Sequence, residues 1–451
     1  MTRARGLRAA VILPAVLVAA GLGTSWVVTP GLAETAPASQ AVPSTSVGPS
    51  APATSLAAPG GFTTSRPPDP DAAWTGIDWH QVGADDPLAQ VRSMTRWHWG
   101  FVALGAEMRT NDGWQTPVWV SADGATWAPV GADAFEPTTV IVGVGETTDG
   151  LVALTLQSGA DQCIGEPESF SCWTLAGPLR AWTSPDATSR TAYPGPSGMA
   201  LPDPGCDDCG VAAPILAAGT PGLLVVDPSG WSAATGTPMA LSHDGIDWQA
   251  VPADAIPSDI SLGDVAAVGS GFLATGEQAI TVHGDETTRA VALTSADGLA
   301  WSTRHLPTAG LDARGGSSAR QIVSAPDGLI VQGSDGLVPG TELWWSSTRD
   351  GKWTRLKGYP PLGVWQGEGE GTGLLPDGTL VGDGERMLAY RAGSKPRGWT
   401  STDGASWQAL AITGDGPGDA GGKRLDTLVL TPVGVLATSD DGTTWFGTPR
   451  T

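Results

Sequence analysis

The chain has 451 residues, among them 63 Gly, 37 Pro and 20 Trp, and only 16% are charged. That balance suits many short strands joined by tight turns better than it suits helices. The net charge of −22 repels phosphate backbones, so nucleic acid is not expected as a partner, and any membrane contact is confined to the N-terminus.

The N-terminus has the plan of a targeting segment. Arg3, Arg5 and Arg8 precede an uncharged run, Ala9 to Val28, and Gly31-Leu32-Ala33 offers small residues for cleavage. Residues 1–33 read as a signal peptide or, since the run is just long enough to span a bilayer, as an N-terminal membrane anchor. Either way the remainder is expected to be extracytoplasmic, secreted or held at the cell surface. Residues 34–70 are Pro, Ala, Ser and Thr with almost no bulky apolar side chain, so they read as a disordered linker. Residues 71–451 are left as the folded domain.

Two motifs alternate along that domain. One is a Gly before an apolar run, as in Gly100-Phe-Val-Ala-Leu, Gly222-Leu-Leu-Val-Val and Gly378-Thr-Leu-Val-Gly. Each follows another apolar run, so each pair predicts a hairpin of two buried strands. The other is S-x-D-G-x-x-W, with Asp123 and Trp127, Asp244 and Trp248, Asp297 and Trp301, Asp403 and Trp407, and Asp441 and Trp445 in the key places. Asp350 and Trp353 belong to a shifted copy, and Ser184-Pro-Asp186 to a decayed one. In such a turn Asp accepts backbone N–H groups, Gly supplies a positive φ, and Trp packs back under the turn.

Four strands in about fifty residues is a propeller blade, and the interleaving predicts an all-β, seven-bladed β-propeller in preference to six or eight blades. The last repeat has room for three strands only. Gly76-Ile77-Asp78-Trp79 resembles Gly245-Ile246-Asp247-Trp248, so an N-terminal strand is expected to complete the last blade and remove a free edge.

The repeated turn resembles the Asp-box (BNR-repeat) β-propellers of the sialidase-like superfamily, with a turn one residue shorter than the usual form. The resemblance covers roughly residues 74–451 and implies architecture; the boxes lie in outer turns and imply no catalytic role. The sialidase signature Arg-Ile-Pro is absent, and the three tyrosines, Tyr193, Tyr359 and Tyr390, do not make its nucleophile pattern. Sialidase activity is not expected.

In a propeller the Gly turns and the boxes share one rim, so the loops after the second strands lie on the other. Glu107, Asp227, Glu277, Asp335, Asp383 and Glu385 follow second strands and form a candidate acidic ring there, with Trp173 as a candidate stacking surface. Irregular insertions carry Cys163, Cys172, Cys206 and Cys209, expected as two disulfides in an oxidising compartment, with local and inter-loop pairings both open. The five histidines make no metal-ligand pattern, so no metal site or cofactor is expected, although an acidic mouth leaves room for calcium. These features point to an exported, non-catalytic, monomeric propeller that binds or scaffolds a glycan or a cell-envelope protein. The alternatives are an extracellular glycoside hydrolase with an unfamiliar active site and an assembly factor for another exported protein.

Overall fold

The computed structural model describes residues 73–451 with breaks, the longest at 158–177, 200–213, 228–237 and 363–377. The expected export segment and linker, Glu107, Trp173, Asp441 and all four cysteines lie outside the described residues.

The described residues make five four-stranded antiparallel sheets, one eight-stranded sheet, and a small hairpin of Met108–Thr110 with Gly113–Gln115. The eight-stranded sheet divides at a parallel pairing of two outer strands, so seven four-stranded units follow one plan. In chain order they occupy residues 91–129, 139–194, 215–250, 260–305, 317–355, 378–414, and 425–450 with 76–81. We call them the first to the seventh sheet. The inner strands of consecutive sheets touch, and that of the seventh, Leu425–Thr431, touches that of the first, Val91–Trp97. Sheets arranged in that closed order form a β-propeller.

The apolar runs explain the order. Every residue of Gly222–Val226, the second strand of the third sheet, is buried. Leu223 and Val225 enter the core shared with the second sheet, and Leu224 and Val226 the core shared with the fourth. A strand covered on both faces needs a continuous apolar run, not an alternating one. Outer strands such as Gln249–Ala250 and Ser302–His305 are short and exposed, which blunts the sheet edges. The turn glycines allow a close approach: a Cβ at Gly100, whose φ is 140°, would lie 2.0 Å from the Ser121 carbonyl oxygen.

One expectation is corrected. Gly378–Gly382 is the inner strand of the sixth sheet, and Met387–Arg391 is its second. The turn glycine there is Gly384, with φ 86°, and Gly378 begins a strand. Five of the inner strands carry a bulge, at Val91/Ser93, Ile141/Gly143, Leu262/Asp264, Ala319/Gln321 and Leu425/Thr427. Those bulges bend each strand locally, and period-2 patterning did not reveal them.

The N-terminal strand closes the ring as its sequence suggests. Gly76–Gln81 pairs antiparallel with Thr444–Arg450, from Gly76 opposite Arg450 to Gln81 opposite Trp445. It also pairs in parallel with Gln408–Gly414, the outer strand of the sixth sheet. Ile77 and Trp79 are buried in a core with Tyr390, Leu428 and Trp445.

Candidate functional site

The box turns define one rim and their chemistry is structural. In the fourth sheet Ser295 Oγ donates to Asp297 (3.1 Å) and accepts the Gly298 N–H (2.8 Å). Asp297 also accepts the N–H groups of Leu299 and Ala300, and Trp301 Nε1 donates to the Gly298 carbonyl at 3.1 Å. The amides of Ala300 and Leu299 hold the Asp297 carboxyl below the usual carboxylate range. The Ser, Asp and Gly contacts recur at Ser121, Ser242 and Ser401, with φ between 71° and 78° at Gly124, Gly245 and Gly404. These carboxylates cap turns.

The other three copies depart from the expected form. The second-sheet copy is altered but not lost. Asp186 accepts the Ser189 N–H at 2.6 Å, Ala187 takes the positive φ (60°), and Arg190 Nη2 donates to the Ala187 carbonyl as Trp does elsewhere. Arg190 lies over Phe135, beside an apolar cavity of about 30 Å³. In the fifth sheet Asp350 does not hold the turn; it pairs with Arg349. Ser346 is the anchoring serine, donating to the Thr348 carbonyl at 2.8 Å. Of the seventh copy, Ser439 ends Gly434–Ser439, which is a second strand and not a third as in the other copies, and Trp445 lies in Thr444–Arg450, the third strand. Trp445 is buried within the third strand.

The loop rim divides the candidate acidic ring. Asp227 and Asp335 end second strands there and are buried. Glu277 lies 4.0 Å from Arg320 of the fifth sheet. Asp383 and Glu385 do not join them: they lie in the turn between the first and second strands, on the box rim. There Asp383 accepts the N–H groups of Glu385 and Arg386 at 2.9 and 2.8 Å, and Arg386 stacks on Trp74 at 4.4 Å. The placement follows from the strand assignment corrected above.

The loop rim of the fourth and fifth sheets holds a linked set of polar side chains. Gly271–Val282 and Asp285–Ser295 run as a hairpin past Ile260, the first residue of their inner strand, to a turn at His283-Gly284. At its base Gln278 donates to Asp259 and lies 2.9 Å from His305 Nε2. Arg289 Nη1 donates to His305 Nδ1 at 3.3 Å. Arg289 has only donors, so these partners assign His305 as neutral with its proton on Nε2. Burial and the Arg289 charge lower its pKa accordingly.

In the fifth sheet Arg355 donates through Nε and Nη2 to both carboxylate oxygens of Glu342, which is buried. Tyr359 donates its hydroxyl to the Thr341 carbonyl at 2.5 Å. Burial and then the Glu342 charge push the Tyr359 phenol up to about 12, so it stays protonated and is a poor nucleophile. Tyr390 is wholly buried in the seam core. The sequence reading missed the Tyr359 cluster. The available signal was one Glu within the third strand, two residues before the buried Trp344.

Asp264 was also missed. It follows the bulge in the fourth inner strand, and its oxygens accept the N–H groups of Val265 and of Ile322 in the fifth sheet, each at 2.8 Å. Part of its surface still meets solvent, yet the two sheets enclose it at longer range. Burial pushes its carboxyl up to about 6 against the pull of the two amides. Among the described residues no three His, Cys, Asp or Glu side chains are placed to hold a metal ion.

Neither family models nor curated proteins give a match. Among solved structures the chain is similar to virginiamycin B lyase from Staphylococcus aureus with quinupristin, at 8% identity and a TM-score of 0.47, covering 82% of this chain and 99% of that one. It is similar to an oligogalacturonate lyase in complex with manganese, at 10% identity and a TM-score of 0.46, covering 85% and 92%. A GH74 xyloglucanase from Xanthomonas campestris gives 16% identity and a TM-score of 0.40, covering 82% of this chain and 55% of that one.

Proposed function

We propose that this chain is an exported, non-catalytic propeller of the Asp-box kind, which binds a glycan or a cell-envelope protein through its loop rim. The observation that carries the reading is how the chemistry-bearing groups of that rim are committed. Glu342 is held at both oxygens by Arg355, and Tyr359 is kept protonated. Arg320, Glu277, Gln278 and Arg289 remain part-exposed, a surface suited to hydrogen-bonding a polar ligand. The reading also rests on residues 1–33 as an export signal or anchor and residues 34–70 as a linker.

The test is an array of envelope and plant glycans probed with purified residues 71–451, with and without calcium. Saturable binding that is lost in an Arg320→Ala, Gln278→Ala double variant supports the loop-rim reading. Binding that survives the double variant moves the ligand elsewhere on the ring. The Glu342–Arg355–Tyr359 cluster favours one second reading, a glycoside hydrolase. Polysaccharide cleavage abolished by Glu342→Gln would put that reading first.

A further inference from the structure

The two ends of the domain leave the ring side by side. Thr75 N–H donates to the Arg450 carbonyl at 2.8 Å, one residue from the C-terminal Thr451. Both are at the box rim, because Gly76 opposes Arg450 at the end of the strand where a seventh box would stand. From there Gly76–Gln81 runs the depth of the ring to the loop rim, where Val82 N–H donates to the Thr444 carbonyl at 2.9 Å.

That strand is held along both edges. Six residue pairs join it to Thr444–Arg450 and four join it to Gln408–Gly414. Side chains add to the grip: Thr413 donates to Asp78 at 2.9 Å, and Arg450 crosses over Gly76 to the Ala411 carbonyl at 2.9 Å. Glycines permit the insertion. A Cβ at Gly414, whose φ is 79°, would lie 1.9 Å from the Trp79 carbonyl oxygen, and one at Gly447 would lie 2.6 Å from Ile77. The closing strand is also an anchor for apolar packing, with Trp74, Ile77 and Trp79 all buried.

We propose that this seam is a directional mechanical clamp, strong against a pull that reaches the ring from its N-terminal side while the loop rim is held. The proposal rests on the reading that the N-terminal segment is a tether and the loop rim the binding face. A pull on Trp74 along the strand, with the opposite rim fixed, loads the hydrogen bonds on both edges lengthwise, and they must fail together. A pull that separates the two chain ends loads the Gly76–Arg450 end first and opens the antiparallel edge one pair at a time. The same strand is therefore strong in the first direction and weak in the second. Forced unfolding reads a rate over a barrier, so the direction of load decides the outcome even at one equilibrium stability.

The experiment is single-molecule pulling on one folded protein with two sets of peptide handles. One set is placed before Trp74 and in the exposed His283-Gly284 turn, and the other before Trp74 and after Thr451. Rupture from the first set at a several-fold higher force than from the second is the expected result, and equal forces would overturn the clamp. Gly414→Ala, which opens the parallel edge, is expected to lower the first force and leave the second nearly unchanged. If that variant does not fold, the two wild-type measurements still decide the matter. The tether itself is tested separately, by fractionating cells for bound or released protein, so either idea can fail alone.

Discussion

On the box rim the fourth sheet repeats the Ser, Asp and Gly contacts of the third: Ser295, Asp297 and Gly298 do what Ser242, Asp244 and Gly245 do. On the loop rim the described parts of the two sheets differ: the second and third strands of the fourth run on past Ile260 as a long hairpin, whereas the second strand of the third ends at Val226, opposite Ile215 at the start of its inner strand. The first rim depends on local hydrogen bonds within about seven residues of chain, so it can be copied with each repeat. The second depends on contacts between sheets, as Glu277 of the fourth with Arg320 of the fifth.

The sharpest way to break this comparison is to disturb one rim and watch the other. Gly245→Ala is expected to cost most, about 4 kcal/mol, from strain at a φ of 78° and a Cβ 2.6 Å from Val152. A shift in the urea midpoint checks it, and a loss below about 1 kcal/mol would mean the turn relaxes freely. Glu342→Gln strips Arg355 of its charged partner on the loop rim and is expected to cost about 3 kcal/mol. It also brings the Tyr359 phenol down from about 12, visible in its ultraviolet titration.

Asp264 sharpens the comparison through pH. Its folded pKa, about 6, lies above its ordinary value of 3.8, so the folded protein binds the proton more tightly. The stability from that proton is complete below pH 4 and is lost as pH rises through 6, about 2 kcal/mol once solvent screening is allowed for. Asp297 and Asp403, held down by backbone N–H groups, work the other way: their stabilisation is present above pH 4 and fades as pH falls. Thermal unfolding from pH 3 to 7 should show both limbs, and Asp264→Asn should flatten only the upper one. The smallest effect is at the second box. Ala187→Gly relieves a φ of 60° but removes a buried methyl group, for a net gain below about 1 kcal/mol. A loss instead would show that packing beside the cavity outweighs the turn.

The sequence reading found the box rim because hairpin turns are written in neighbouring residues. It failed where a turn's identity depends on which strands flank it. Ser439-Asp-Asp441-Gly442 has the letters of a box, yet it follows a second strand, and Gly378 has the letters of a turn glycine but opens an inner strand. The altered second turn shows the reverse: Ala187 and Arg190 keep the geometry after the motif has gone. Among the described members of the acidic set, Asp227 follows its second strand, Asp335 ends its own and Glu277 lies within one, while Asp383 and Glu385 stand on the other rim.

The repeat and the closing role of Gly76–Gln81 follow from the sequence alone, because periodic burial and local turns need only nearby residues to specify them. The tertiary structure alone decided the bulges, the parallel edge between Gln408–Gly414 and the closing strand, and the Glu342–Arg355–Tyr359 cluster. Each depends on how closely backbones or charges from distant parts of the chain approach. That distance is set by packing between sheets, and no local pattern of residues records it.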